Sequence, residues 1–423
     1  MNILLKNVLI VDPSSAFNGK KVDVRIEKGQ ISEIASSLKH DRNFKIVEGE
    51  NLSVSPGWFD LQARFCDPGE EHKENLQSGM EAAAQGGFTG VCLMPSTNPT
   101  VSSKSQVEYL LRSSKNSIVD LYPAGSITNN LEGKDLSEMF DMKSAGAVAF
   151  TDDKQSLKDS GLFIRAMQYA ENVCSFLMLH CEDKSLTVSG QMNEGTVSTR
   201  LGLKGIPALA EEVMVKRNIS LMEYSGGKMH VLNVSAKGSI DAIRKAKSDR
   251  LPVSCSVAAH QLLLDDSLLS GFDSNYKVNP PLREKDEIEN MKKAILNGVI
   301  DVISSDHTPE DIESKDLEFD LASFGISSLE TAYACANTAL GDRVSQSKLI
   351  ESIAINPRKI LGLTVPKIAV GEKANLTVFN SELNWTFETK KMKSKSRNSP
   401  FDQFKFKGKA IAVINNGICR IVD

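Results

Sequence analysis

Between two β-rich ends, this chain repeats one unit: a short apolar, β-prone segment, in most cases followed by a helical pattern. Eight such segments lie near residues 58–65, 88–94, 119–124, 147–151, 176–180, 229–234, 252–257 and 301–304. The amphipathic stretches between them carry helix punctuation. Glu74 to Gln85 ends at Gly86-Gly87, and Pro207 to Ser225 ends at Gly226-Gly227. Proline at the entry and glycine past the exit are what a helix boundary demands. Strands that alternate with helices run parallel and are joined by right-handed crossovers. Eight units predict an α/β fold of the (β/α)8 barrel type over residues 55–364. A doubly wound open sheet is the runner-up, but no Gly-rich dinucleotide fingerprint follows any strand. Residues 1–54 and 365–423 read differently, as short alternating strands. Val8-Leu9-Ile10-Val11, Val22 to Ile26 and Ile31 to Ile34 stand at one end, with Leu376 to Phe379 and Ala410 to Ile414 at the other. The two ends are expected to pack together as one small β-domain.

Composition narrows the function classes. The 423 residues hold 50 Lys+Arg against 54 Asp+Glu, a net charge of −4. No basic excess exists to neutralise phosphates, so a nucleic-acid binder is not expected. No run reaches the roughly 18–20 apolar residues of a membrane span. Lys6 and Asp12 interrupt the apolar N-terminus, which does not read as a signal peptide. The seven cysteines are dispersed without a C-x-x-C pair, the pattern of reduced cytosolic thiols. A cytoplasmic protein is expected. The basic run Lys390 to Arg397 reads as a solvated loop, and His40 and His72 as surface residues.

Function in such a barrel sits at the C-terminal ends of the strands. The first strand brings Asp60, Gln62 and Arg64 there, and the second Ser96. Asp152 and Asp153 follow on the fourth, His180 on the fifth, Asn233 on the sixth, His260 on the seventh, and Asp306 and His307 on the eighth. Loop chemistry alone supplies some of these polar residues, so position by itself leaves an active-site cluster and ordinary loops equally open.

The order of motifs is more specific. Pro56-Gly57-Trp58-Phe59-Asp60, Asp67-Pro68-Gly69 and Gly86-Gly87-Phe88-Thr89 come first. Val148 to Asp153, His180-Cys181-Glu182-Asp183, Met192 to Gly195 and Gly205-Ile206-Pro207 follow. Asn275 to Arg283, Ser305-Asp306-His307, Phe324-Gly325-Ile326, Asn356-Pro357 and Ser399-Pro400-Phe401 complete the set. In this order they resemble the dihydroorotase family over nearly the whole chain. The resemblance implies an amidohydrolase-type barrel with a β-domain from both termini. It also implies a zinc enzyme that reversibly cyclises carbamoyl aspartate to dihydroorotate in pyrimidine synthesis. Hydantoinases and allantoinases share the architecture, but the run from Lys277 to Arg283 is most similar to dihydroorotase.

Set against the family, the metal ligands have changed. The family's first strand carries Asp-x-His-x-His, with both histidines on one face to hold zinc. Here the strand reads Asp60-Leu61-Gln62-Ala63-Arg64, and the family histidine of the sixth strand is Asn233. The remnants of the ligand set are Asp152, Asp153, His180 and Asp306. Guanidinium has no lone pair to give and stays protonated. A unit positive charge ~4 Å from a divalent ion costs roughly 8 kcal/mol at an effective dielectric of about 20. Arg64 is therefore expected at or beside the metal position, paired with Asp306 or with Asp152/Asp153. No cofactor is expected, although the family uses zinc. Asp306, the family's general base, is expected to stand idle. Cys66 replaces an arginine that grips the substrate carboxylate and reads as a space-filling residue, with a reactive thiol as the alternative. For substrate binding, the resemblance leaves Asn279 and the loop carrying Phe324 and Gly325. His260, His307 and Arg283 read as hydrogen-bonding groups of the mouth and its loops.

The first expectation is a dihydroorotase-like protein that has lost zinc hydrolysis and acts as a structural or regulatory partner. Some family members without the metal histidines serve aspartate transcarbamoylase in this way, which makes that enzyme the first candidate. The second is a working dihydroorotase or related cyclic amidohydrolase with an atypical metal site. A third is a binding module for a pyrimidine precursor. Self-association into a homo-oligomer is open.

Overall fold

The computed structural model describes residues 2–39 and 43–423, and His40 lies outside them. The apolar segments of the middle form a closed ring of parallel strands. Trp58–Ala63, Phe88–Leu93 and Asp120–Pro123 pair in sequence order. Leu177–His180, Met229–Leu232, Val253–Ala258 and Val302–Ser304 do the same. Single bridges complete the circle. Phe150 pairs with Gly125 on one side and with Leu177 on the other, and Ala63 pairs with His307.

The stretch expected as a strand at 147–151 is thus reduced to one bridging residue, Phe150. Its neighbours have other duties. Gly146 ends a helix in left-handed conformation (φ +113°), and Asp153 also turns left-handed (φ +50°).

Helices follow the sequence punctuation closely. Leu76–Gln85 starts on an Asn75 cap, whose side chain accepts from Ser78 N, and ends at Gly86. Ala208–Ser225 starts after Pro207 and ends at Gly226. No helix among the described residues is long and apolar enough to cross a membrane.

Both chain ends join one eight-stranded sheet. Its order runs Ile418–Ile421, Lys405–Asn415, Leu376–Thr386, Ser53–Pro56, Asn2–Ile10, Lys21–Glu27, Gln30–Ala35, with Lys45–Val47 on Asn2–Ile10. Ile3, Leu5, Val24, Ile26, Val54 and Val378 share its buried core, as period-two alternation requires.

Sheet and barrel meet at Trp58. Its ring packs on Tyr333 (centroids 4.3 Å apart) and Phe379 (5.6 Å), and its Nε1 donates to Ser55 Oγ at 3.1 Å. Gly87 lies beneath this ring with φ +92°, and a Cβ there would meet Trp58 Cε3 at 2.6 Å and Ala410 Cβ at 2.7 Å. Gly87→Ala combines left-handed strain with overpacking. It is expected to cost about 3 kcal/mol, measured as the change in unfolding free energy by urea titration. A loss within about 0.5 kcal/mol would show that the junction yields.

The run Lys390 to Arg397 is only partly the solvated loop expected. Met392, Ser394 and Ser396 are buried between exposed neighbours. Ser396 Oγ donates to Lys73 O at 2.6 Å, and Ser394 Oγ donates to Glu74. This alternation ties the segment across the outside of the barrel mouth.

Candidate active site

The strand ends converge as the pleat requires. Asp60 and Gln62, two residues apart, both point into the barrel and are buried. Asp60 holds the eighth strand, accepting from Ser305 N at 2.6 Å and Ser305 Oγ at 2.7 Å. Burial pushes its carboxyl up to about 7. Asp153, Asn233 and Asp306 all sit left-handed, at φ +50°, +49° and +53°. Asn and Asp tolerate this conformation better than most residues. Three strands therefore turn sharply to aim a short polar side chain at one place.

Arg64 extends into that place. Its Nε donates to Asp153 Oδ2 at 2.6 Å, and Ser96 Oγ donates to the same oxygen at 2.5 Å. The Asp153 side chain is 1% exposed and that of Arg64 is 21% exposed. Burial alone would raise the Asp153 carboxyl, but the guanidinium outweighs it and holds the carboxyl below the ordinary range. Of the partners expected for Arg64, the structure selects Asp153.

Asp152 is not part of this cluster, against expectation. Its Oδ1 accepts from Ile127 N (2.8 Å) and Thr128 N (2.9 Å), and its Oδ2 accepts from Thr128 Oγ1 at 2.5 Å. The carboxylate is consumed in fastening the loop after the third strand. The left-handed turn at Asp153 (φ +50°) sends its side chain to Arg64 instead.

Asp306 meets a second cation, which the sequence reading did not single out. Lys154 Nζ donates to both oxygens of Asp306, at 2.8 and 2.9 Å, and to Asn279 O at 2.6 Å. Lys154 directly follows Asp153, so a basic residue beside the acidic pair was the available signal.

Glu182 collects a third group of contacts on one oxygen. Lys184 Nζ lies at 2.7 Å, Asn279 Nδ2 at 2.9 Å and His180 Nε2 at 3.1 Å. Burial lowers the tendency of His180 to protonate. Desolvation works against the Glu182 carboxylate, but these partners prevail and hold it well below the ordinary range.

Arg64, Lys154, Lys184, Asn279, Asp306 and Phe324 line one open cavity of about 270 Å³. Gly325 also lines this cavity. The Asn279 side-chain amide donates to Glu182, and its backbone carbonyl accepts from Lys154. Gly325 N donates to Lys277 O at 2.9 Å, and Gly325 O accepts from Lys315 Nζ at 3.2 Å.

The donor set does not fit a zinc ion. Arg64 occupies one oxygen of Asp153, and Lys154 occupies both oxygens of Asp306. Among the described residues no group of three or more His, Cys, Asp or Glu is arranged to hold a metal. Asn233 Oδ1 accepts from Ser304 Oγ at 2.9 Å. Gln62 Oε1, Asn233 Nδ2 and Asp153 Oδ1 are buried without a protein partner.

The remaining predicted residues lie apart from these contacts. His260 is buried, and desolvation lowers its pKa to about 4; neither ring nitrogen has a hydrogen-bond partner among the described residues, against the expectation of a hydrogen-bonding group. His307 Nδ1 accepts from Ser328 N at 3.1 Å, while its Nε2 faces Glu74 Oε2 at 3.5 Å. Glu74, fully buried, also binds Ser78 and Ser394, and sequence reading missed it because it looked like an ordinary first-turn helix acid. Arg283 is buried and donates to Asn193 Oδ1 (2.8 Å), Ser235 Oγ (3.0 Å) and Ile206 O (3.2 Å), holding a loop as expected. Burial pushes the Cys66 thiol up to about 12, which fits the space-filling reading. His72 is exposed.

Residues 52–239 match the family model described as dihydro-orotase-like. Relatives named dihydroorotase share the full length. That of Geobacter metallireducens is 39% identical, covering 99% of both chains. That of Syntrophus aciditrophicus is 37% identical, covering 99% of this chain and 98% of the relative. Among solved structures, the L-hydantoinase (dihydropyrimidinase) from Arthrobacter aurescens superimposes with a TM-score of 0.86 at 21% identity, covering 99% of this chain and 95% of that one. The D-hydantoinase (dihydropyrimidinase) from Thermus sp. gives 0.83 at 22% identity, covering 100% and 95%. At these identities the structural likeness speaks for the barrel fold alone.

Proposed function

Because this chain belongs to the dihydroorotase family, we propose that it serves pyrimidine synthesis as a dihydroorotase-like partner protein without zinc hydrolysis of its own. The observation that carries this reading is the pair of internal cations. Arg64 on Asp153 and Lys154 on Asp306 bring the positive charge to the site from the protein itself. Both oxygens of Asp306 are engaged by the Lys154 ammonium, at 2.8 and 2.9 Å. Aspartate transcarbamoylase is the first candidate partner, and a pyrimidine precursor is a candidate ligand for the cavity.

A second reading is an active dihydroorotase, or a related cyclic amidohydrolase, that opens dihydroorotate to N-carbamoyl-L-aspartate with an atypical metal site. It is favoured by full-length relatives at 37–39% identity that bear the name dihydroorotase. Those names weigh more heavily for this reading than for the first, whereas the replaced ligands weigh for the first.

Metal content and turnover of the purified chain decide between them. The expected result is no stoichiometric zinc, no ring opening of dihydroorotate, and co-purification with aspartate transcarbamoylase. Stoichiometric zinc together with turnover that Asp306→Asn abolishes would establish the second reading instead.

A further inference from the structure

The segment after the eighth barrel strand distributes its charges unequally. Residues 310–321 carry six carboxylates and one lysine, Lys315. Lys315 is buried and donates to Ser323 O at 2.8 Å and Gly325 O at 3.2 Å. Lys277, also buried, reaches the same loop from inside and donates to Phe319 O at 2.6 Å and Asp320 O at 3.1 Å. Both lysines are thus drawn inward to carbonyl oxygens, and the outer side of residues 310–321 is acidic and apolar.

The apolar part is large. Ile312, Leu317 and Leu321 are 76%, 47% and 66% exposed, and Phe272 on the neighbouring loop is 48% exposed. Phe272 packs edge-on against Phe319 (6.4 Å) and shares an open depression of about 520 Å³ with Ile312 and Leu317. Exposed apolar groups gathered in this way mark an interaction surface rather than scattered surface residues. Among the described residues, most of the acids around them form no ion pair. Glu310 pairs with Lys73 and Asp311 with His72, but among the described residues Asp273, Glu313, Asp316, Glu318 and Asp320 form no ion pair. Arg397 is the exposed cation on the lining.

Charge selects the occupant. Anionic lipid and nucleic acid would be repelled. A second copy, docking the same face on itself, would set these acids against one another. We propose that this face docks a cationic amphipathic helix of a partner chain, with its apolar side chains in the Phe272–Ile312–Leu317 depression and its Lys or Arg on the acidic rim. The inference rests on the reading of this chain as a partner protein.

The test uses the full chain and a fluorescein-labelled peptide of leucine and lysine in helical period, followed by anisotropy. Binding is expected, weakening with added salt. It should fall about tenfold or more in Ile312→Ser/Leu317→Ser and in Asp316→Lys/Glu318→Lys. These exposed sites leave the unfolding midpoint unchanged, which a urea titration verifies. Equal binding by the variants, or by the same peptide with glutamate for lysine, would overturn the proposal. So would self-association that the same variants abolish without peptide binding. Aspartate transcarbamoylase retained equally by wild type and variants would overturn this surface while leaving the partner reading intact. Peptide bound with no retention of that enzyme would keep the surface and remove that candidate.

Discussion

Arg64→Met is expected to destabilise the protein by about 3 kcal/mol, although methionine fills similar space. The cause is the carboxylate left behind. Asp153 is almost wholly buried, and its charge is tolerated because the guanidinium lies 2.6 Å away. Breaking a buried pair from one side costs roughly 3–5 kcal/mol. The lower end applies because the arginine side chain is 21% exposed. Asp153→Asn should cost a similar amount by stranding Arg64. The double variant should cost clearly less than the sum of the two single losses, since neither charge is then unpaired, giving a coupling of about 2–3 kcal/mol in the cycle. Losses that simply add in the double variant would show that the pair is not the stabilising unit. The pH dependence follows from the same contact. The Asp153 carboxyl is held below its ordinary value in the folded state. Its contribution is therefore fully present above the ordinary carboxylate pKa of about 3.9 and is lost as pH falls through the lower folded value. The gap between wild type and Arg64→Met should be widest near neutrality and should narrow below about pH 4.

The pair also marks how far sequence reading reaches. Period-two alternation put Gln62 and Arg64 at the barrel mouth from the letters alone, because residues two apart on a strand share a face. The apolar segments located the barrel for the same reason, and helix ends followed proline and glycine. Direction beyond the strand end was not legible. Asp152 and Asp153 are neighbours of identical chemistry, and only the left-handed turn at Asp153 decides which of them reaches Arg64. Lys154 went unnoticed because a lysine after two acids usually faces solvent, whereas here it crosses the mouth to Asp306. Asn279 and Gly325, read as ligand contacts, line the cavity, and the loops they stand on also bind each other. Such contacts join residues far apart in sequence and leave no local pattern. The fourth strand is reduced to the bridging residue Phe150.

Placing histidine at three positions, Gln62→His, Arg64→His and Asn233→His, is expected to raise the affinity of the barrel mouth for zinc. The backbone already has the needed shape. Positions 62 and 64 alternate on one strand, and Asn233 turns left-handed at the end of another, as do Asp153 and Asp306. His180 stands on the strand between them and is held close to neutral by burial, as a metal ligand must be. Removing Arg64 lifts a repulsion of roughly 8 kcal/mol from a divalent ion. The three histidines add neutral nitrogen donors. Lys154 remains as an obstacle on Asp306, so the quadruple variant with Lys154→Gln should bind zinc more tightly than the triple one. Arg64→His alone should bind little, because too few donors are present. Competition against a chromophoric chelator measures all four proteins. Affinity in the wild type equal to that of the triple variant would mean that Arg64 and Lys154 swing away when zinc arrives, and the account of internal cations in place of the metal would fall. A rank of quadruple, triple, single and wild type from tightest to weakest would tie the loss of metal to those two side chains and three missing nitrogens.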